Sequence, residues 1–421
     1  MRDWVIVGGG PHGVHLAARL IAEAGVSRED IAILDDEEAL LARWRRCTRN
    51  SGMRYLRSPA VHHLDPSTRS LQQFARSGPG RRVAQPFTRP YSRPSLELFD
   101  LHCDKMIEEF GLAELHVRGW ANQLEIRDEA VRVGFASPAP KTGQGQIEAR
   151  NGVLALGAPQ EPDWPDWARR VKSEALDAGH PSVIDHIFDP GFELVDNAKD
   201  QTVAVMGAGI SGSQVAIRLA REGRRVVLLS RHPIREHQFD SDPGWQGPMY
   251  MAGYSRLSDP RERRARIRGA RHRGSVPSEI HSALRAAISA GTIEHLQDVE
   301  VESASFHGGQ VALDLGDQPL HVDRVLLATG FPAHRPGGEW LDEAIKLYDL
   351  PCAECGYPLI DRGLRWHPRL FVMGSLAELE IGPVSRNLSG AQRAGERIVA
   401  VARGSSKNVN ALKLEEEPVL A

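Results

Sequence analysis

Cysteine is scarce, with four in 421 residues (Cys47, Cys103, Cys352 and Cys355), too few to staple a secreted scaffold of this size. Long apolar runs are lacking too. No stretch approaches the roughly 18 consecutive apolar residues that a membrane span needs. Neither charge is in excess: 52 Lys and Arg stand against 55 Asp and Glu, a formal net charge of −3, so nothing global draws the chain to nucleic acid or a membrane surface. The one dense basic run, Arg256 to Arg273, carries no aromatic side chains for base stacking and reads as a solvated helix face. Metal-ligand spacing is missing as well. His62 and His63 are adjacent, and Cys352-Ala353-Glu354-Cys355 has only His367 as an obvious further ligand, short of a zinc set. The opening residues enter an apolar strand almost at once, with no basic stretch and no small-residue cleavage site, which gives the expectation of a cytoplasmic protein. Oligomeric state is left open.

What the sequence does have is glycine, 40 residues in all, and two groups of them stand in the same setting. Val5-Ile6-Val7 runs into Gly8-Gly9-Gly10-Pro11-His12-Gly13, followed by an Ala-rich amphipathic stretch and a second apolar strand, Ile31 to Leu34, that ends at Asp35 and Asp36. Val203-Ala204-Val205-Met206 runs into Gly207-Ala208-Gly209-Ile210-Ser211-Gly212, then a similar helix and Val226 to Leu229, ending in Ser230-Arg231-His232. Each is G-x-G-x-x-G between a strand and a helix. The first glycine permits the tight turn, the second lets a pyrophosphate approach the backbone, and the third lets helix and strand pack closely. The helix N-terminus then offers free N–H groups and a partial positive charge to phosphate. Asp35, or Asp36 in its place, can accept hydrogen bonds from a ribose diol. Arg231 would instead bind a 2′-phosphate, so the second unit reads as an NADPH site.

Between and after these units the pattern is that of an α/β protein. Ser95 is placed as N-cap of a helix to Gly111, and Trp120 to Phe135 alternates like a β-hairpin. Val153 to Leu156, Val322 to Thr329 and Leu370 to Met373 are apolar strands that run into Gly157, Gly330 and Gly374, and a helix follows from about Ser389 to Ala402. The expected architecture is two Rossmann-like, doubly wound, three-layer dinucleotide-binding domains, one inserted into the other. Residues 1–165 and 323–404 would form the FAD-binding domain, 195–322 the NAD(P)H-binding domain and 405–421 a mobile tail.

Two such loops, the first followed by an acid and the second by an arginine, resemble the two-dinucleotide-binding-domain flavoproteins. Within these the chain is most similar to the N-hydroxylating and class B flavin monooxygenases. Leu326-Leu327-Ala328-Thr329-Gly330-Phe331 looks like the motif these families carry where the chain returns to the FAD domain. Leu370-Phe371-Val372-Met373-Gly374 and Gly382-Pro383-Val384-Ser385-Arg386-Asn387 resemble the segments that close an FAD site. The resemblance implies FAD and NADPH as cofactors and cofactor contacts at Thr329, Gly330, Gly374, Gly382 and Pro383 besides the two loops. It also implies molecular oxygen as co-substrate and hydroxylation of a small amine or amino acid through a C4a-hydroperoxyflavin. It places the segment from Arg43 to Pro66 beside the flavin, with Trp44, Arg45, Asn50, Met53 and Arg57 as flavin-proximal candidates, and Arg45, Arg46 and Arg57 as groups able to bind a carboxylate. Of the class B fingerprint only His186 is matched. Two alternatives stay open: a flavin-dependent disulfide or other reductase using Cys352 and Cys355, and a non-catalytic FAD- or nucleotide-binding protein.

Overall fold

The computed structural model describes residues 1–137, 143–159, 161–194, 201–316 and 318–404. Part of the expected 138–146 loop, part of the 189–200 linker and the whole 405–421 tail lie outside the described residues.

The first sheet grows from Arg2–Val7, whose last four residues are buried. Parallel strands flank it, Ile31–Asp35 on one side and the end of Gln144–Leu154 on the other. The order across the sheet is Arg365–His367, Leu370–Val372, Gln144–Leu154, Arg2–Val7, Ile31–Asp35, His116–Arg118. Strands covered on both faces must be apolar throughout, which is why Trp4 to Val7 and Ile31 to Leu34 read as runs. The hairpin is present as Trp120–Ile126 paired antiparallel with Val131–Ala136, and the second of these also pairs antiparallel with Gln144 to Ala149. One strand therefore serves two layers. Its first half alternates (Ile147, Glu148, Ala149, Arg150) because one face is wet, and only its end resembles the apolar strand expected at Val153. The helix Leu96–Glu109 begins at Ser95, whose Oγ accepts the Leu98 N–H at 3.2 Å.

The second sheet is wholly parallel, in the order Ile293–Gln297, Arg225–Ser230, Thr202–Met206, Arg324–Leu327, Ile184–His186. This moves the expected boundaries. Arg324–Leu327, assigned from sequence to the returning FAD domain, hydrogen-bonds beside Thr202–Met206. Residues 166–194, which fell between the expected domains, supply the helix Asp166–Asp177 and the edge strand Ile184–His186. Trp167, Val171 and Ala175 of that helix pack in one apolar cluster with Val227 and Val325. The chain crosses between units near 157–163 and again just after Leu327, and the two crossings touch: Asp163 N–H donates to the Gly330 carbonyl at 2.9 Å. The chain ends then meet in the first unit, where Leu388–Ala402 lies so close to Pro11–Ala24 that a Cβ on Gly395 would come within 3.1 Å of the His15 ring.

Candidate functional site

The first glycine loop is tight where it packs and open where a ligand would lie. Gly8 has φ +117°, and a Cβ there would stand 2.4 Å from the Ala155 carbonyl oxygen. A Cβ on Gly13 would stand 1.9 Å from the Gly8 oxygen. Gly10 has nothing within 4 Å of its Cβ position. It precedes the helix Pro11–Ala24, which has no side-chain cap and no acid in its first turn. Pro11 at the first helical position sacrifices no needed donor. The N–H groups of His12 and Gly13 have no acceptor within the helix. The residues present thus fit a pyrophosphate on this loop.

The neighbouring groups are less free than expected. Asp35 turns inward: one carboxylate oxygen accepts the Gly9 N–H and the other the Glu37 N–H at 3.0 Å. It fixes the loop's shape, and a ribose hydroxyl would have to share oxygens already engaged. Glu37 is held in turn by both terminal nitrogens of Arg46, at 2.7 and 2.5 Å. Opposite the loop, Gly374 has φ +62°, and a Cβ there would sit 3.7 Å from the His12 ring. Ser375 Oγ donates to the Gly157 carbonyl, and Ser385 Oγ to that of Gly374. These two hydroxyls tie the Gly374 turn to the Gly157 turn on one side and to the 383–386 turn on the other.

The second loop repeats the geometry. Gly207 has φ +103°, a Cβ there would stand 2.8 Å from the Ala328 oxygen, and a Cβ on Gly212 would stand 1.8 Å from the Gly207 oxygen. Gly209 would meet only Gly274, at 3.7 Å. The helix Ile210–Arg221 has neither a side-chain cap nor an acid in its first turn, so the N–H groups of Ile210, Ser211 and Gly212 face outward from its end. Arg231 lies just past the strand end with its side chain 72% exposed, and its nearest charge is Glu300 at 3.8 Å. Such a surface pair holds the guanidinium weakly.

Of the flavin-side candidates, two prove to be clamps between units. Asn50 is buried and donates to the carbonyls of Phe192 (2.8 Å) and Ile187 (3.3 Å). Arg57 donates through Nε to Gln238 O and through Nη2 to His237 O and Ser275 Oγ. Trp44 packs on Phe99 at 5.7 Å. Arg45 pairs with Asp104 and, with Met53, lines a cavity at the seam. Thr329 also serves the seam: its hydroxyl donates to the Asp163 carbonyl and lies 3.1 Å from His186 Nε2. The Phe188 N–H donates to His186 Nδ1, so the ring proton resides on Nε2 and points at Thr329. Gly330 has φ +86° with open space at its Cβ position.

Gly382 and Pro383 sit at a junction that the sequence hid. Gly382 has φ +88° and faces Met251 and Tyr254. The Pro383 carbonyl accepts from Arg271, and Tyr254 Oη donates to Leu379 O at 2.9 Å. Under this turn Glu378, 1% exposed, gathers three guanidinium groups: Arg264 and Arg271 at 3.2 Å each and Arg386 at 2.6 Å. Arg263 pairs with Glu380 at 2.8 Å. The basic run taken for a solvated face thus splits. Arg261, Arg266 and Arg268 are exposed, while Arg263, Arg264 and Arg271 dock the second unit on the flavin-closing segment.

The cysteines are poorly set for redox work. Burial pushes the Cys47 thiol up in spite of Arg43 and Arg46, and burial raises Cys103 and Cys352 as well. Low-pKa thiols are the reactive ones. Among the described residues no group of three or more metal-ligating side chains is assembled, and no helix there is long and apolar enough to cross a membrane.

Five buried or half-buried histidines make the fold acid-sensitive. Burial lowers His12, His62, His102 and His186 to about 4 and His15 to about 3. Above pH 6.5 all are neutral folded or unfolded, and stability is flat. Between pH 6.5 and 4 the unfolded chain takes up protons that the folded chain refuses, so each such histidine removes up to about 1.4 kcal/mol per pH unit. Unfolding followed by circular dichroism should therefore show a steep loss of stability over that window with uptake of several protons. A Tm unchanged from pH 7 to 4.5 would contradict this burial.

Residues 5–159 match the model of an FAD-NAD(P)-binding family. No curated protein matches the chain. Among solved structures, the FAD-bound cadaverine monooxygenase DfoA of Erwinia amylovora superposes with a TM-score of 0.72 at 14% identity, over 96% of this chain and 95% of that one. Ornithine hydroxylase PvdA of Pseudomonas aeruginosa gives 0.71 at 18% identity, over 96% and 99%. Bacillithiol disulfide reductase Bdr of Bacillus cereus gives 0.61 at 16% identity, again over 96% and 99%. The chain is therefore similar to an FAD-NAD(P)-binding family over residues 5–159 and, over nearly its whole length, shares the fold of these two hydroxylating enzymes and of the disulfide reductase.

Proposed function

We propose that the protein is an FAD-dependent oxidoreductase that draws electrons from NADPH and uses molecular oxygen to hydroxylate a small amine or amino acid. The observation that carries this reading is the pair of glycine turns, each closed against a strand by its first and third glycines and open at its second. Bound FAD would supply the redox chemistry between NADPH and oxygen, and the protein supplies binding, orientation and exclusion of water. Gly8, Gly10 and Gly13 would hold the FAD pyrophosphate, with Pro11 and His12 opening the helix that faces it. Gly207, Gly209, Ile210, Ser211 and Gly212 would hold that of NADPH, with Arg231 on the 2′-phosphate. Gly374 and Gly330 border the space between the units. Hydroxylation is favoured over disulfide reduction on two grounds. The cadaverine and ornithine enzymes superpose better than the disulfide reductase, and burial raises the Cys352 thiol instead of activating it.

The test follows NADPH oxidation with and without air over a panel of amines and amino acids. Oxygen-dependent hydroxylamine formation is the expected result. Flavin reduction without any hydroxylated product would reject the oxygenase, and Cys352→Ser with Cys355→Ser would then decide whether a disulfide is the acceptor. Cofactor choice gives a separate prediction. Arg231→Ala should weaken NADPH by about 10- to 100-fold, the worth of a charge-assisted hydrogen bond, and leave NADH nearly unchanged. Equal losses for both would mean that Arg231 does not meet the 2′-phosphate.

A further inference from the structure

Three arginines of the segment Arg43 to Pro66 have the chemistry to bind a carboxylate, and the structure spends two of them elsewhere. Arg46 is taken up by Glu37, and Arg57 by carbonyls of the second unit. Arg45 remains at a cavity of about 380 Å³ formed where the two units meet. The helix Ala42–Ser51 contributes Arg45, Thr48 and Arg49, and the turn after it Gly52 and Met53. The helix Leu96–Glu109 contributes Leu96 and Asp100, and Arg218 comes from the second unit.

The lining has a definite chemical bias. Three arginines and one aspartate line it together with the apolar side chains of Met53 and Leu96. Arg45 is paired with Asp104, and Arg218 is engaged three times: through Nε with Glu222 at 2.8 Å and through its terminal nitrogens with the carbonyls of Arg49 at 3.2 Å and Leu194 at 3.4 Å. Arg49, exposed, has no ion pair among the described residues. Asp100 Oδ1 is buried with no hydrogen-bond partner. Burial raises the Asp100 carboxyl to about 6 against the pull of Arg45. A protonated Asp100 can donate to an incoming carboxylate, which a compact inorganic anion would exploit less well across an apolar floor.

We propose that this seam cavity binds a small organic carboxylate, held by Arg49 in the positive field of Arg45 and Arg218, with its carbon chain on Met53 and Leu96 and its far end at Asp100. Arg218 belongs to the second unit and the other groups to the first, and its hydrogen bond to the Arg49 carbonyl already joins them, so the ligand would lie across an existing seam. The site stands apart from the flavin reading and would survive its failure.

The test is calorimetric titration of glutarate into the full-length protein as purified, at low ionic strength and without NADPH. Inorganic phosphate and the diamine putrescine serve as comparison probes. Saturable glutarate binding is expected, tighter at pH 5.5 than at pH 7.5. Arg49→Gln, at an exposed position outside the packed core, should weaken it about tenfold, as the loss of one charge-assisted contact requires. Asp100→Asn should abolish the pH dependence. Circular dichroism of both variants checks that they remain folded. No saturable binding, unchanged affinity in Arg49→Gln, or phosphate or putrescine binding as tightly as glutarate would each overturn the proposal.

Discussion

Replacing Glu378 by Gln will lower the stability of the folded chain by about 3–5 kcal/mol, the cost of breaking a buried ion pair and leaving its partner charged. Gln keeps the volume of the side chain and one acceptor oxygen, so the change isolates the charge. The loss is large because a single carboxylate, 1% exposed, faces Arg264, Arg271 and Arg386, and two atoms of Arg264 are already buried without a partner. Arg264 stacks at 4.0 Å on the Tyr357 ring, whose hydroxyl is 3.0 Å from Arg386, so Arg264 cannot turn to water without giving up this stack. Thermal unfolding should show a fall of several degrees, with Glu300→Gln, on an exposed pair, as a near-neutral control. Adding Arg271→Met to Glu378→Gln should recover part of the loss, because the surplus positive charge falls with it. A Tm equal to wild type in Glu378→Gln would show that the hub is not assembled in solution.

That hub also marks where sequence reasoning stops. The glycine turns were legible because their requirements are local: a positive φ, a close backbone approach and a bare helix end are each imposed by residues a few positions apart. The strand ends around them were legible for a similar reason, since parallel strands buried on both faces can only be apolar runs. Arg264 and Glu378, by contrast, are far apart in the chain, and nothing near either tells a buried arginine from a solvated one. Asn50 and Arg57 illustrate the same limit. Their segment was expected beside the flavin, and their amide and guanidinium groups face carbonyls of the second unit. The domain boundary shifted because Arg324–Leu327 and a strand of the first sheet have the same apolar signature. Only pairing with Thr202–Met206 reveals which sheet takes it.

Gly10 and Gly13 stand three residues apart in one motif, and their substitutions should fail in opposite ways. Gly10 lies in extended backbone (φ −75°, ψ −174°) that any residue adopts, with no atom within 4 Å of a Cβ. Gly10→Val should therefore fold with a Tm close to that of the flavin-free parent, yet its side chain would project into the space where a pyrophosphate meets the helix end. Retained FAD, read from the visible absorption of the purified protein, should drop to near zero, an affinity loss of about 100-fold or more, or roughly 2.7 kcal/mol. Gly13→Ala needs no ligand to fail. Its methyl group would lie 1.9 Å from the Gly8 carbonyl oxygen, and that oxygen cannot yield, because the Gly8 N–H donates to the Leu34 carbonyl at 2.8 Å and the Val7 carbonyl just before it accepts the Ala155 N–H at 2.8 Å. The helix must then lift from the strand, at a cost above the usual 1–3 kcal/mol or so of an overpacked core, and little soluble protein is expected. Gly212→Ala repeats that clash in the second unit, 1.8 Å from Gly207. Full FAD loading of a folded Gly10→Val protein would mean that the dinucleotide does not run across this turn, whatever the loop's sequence resembles.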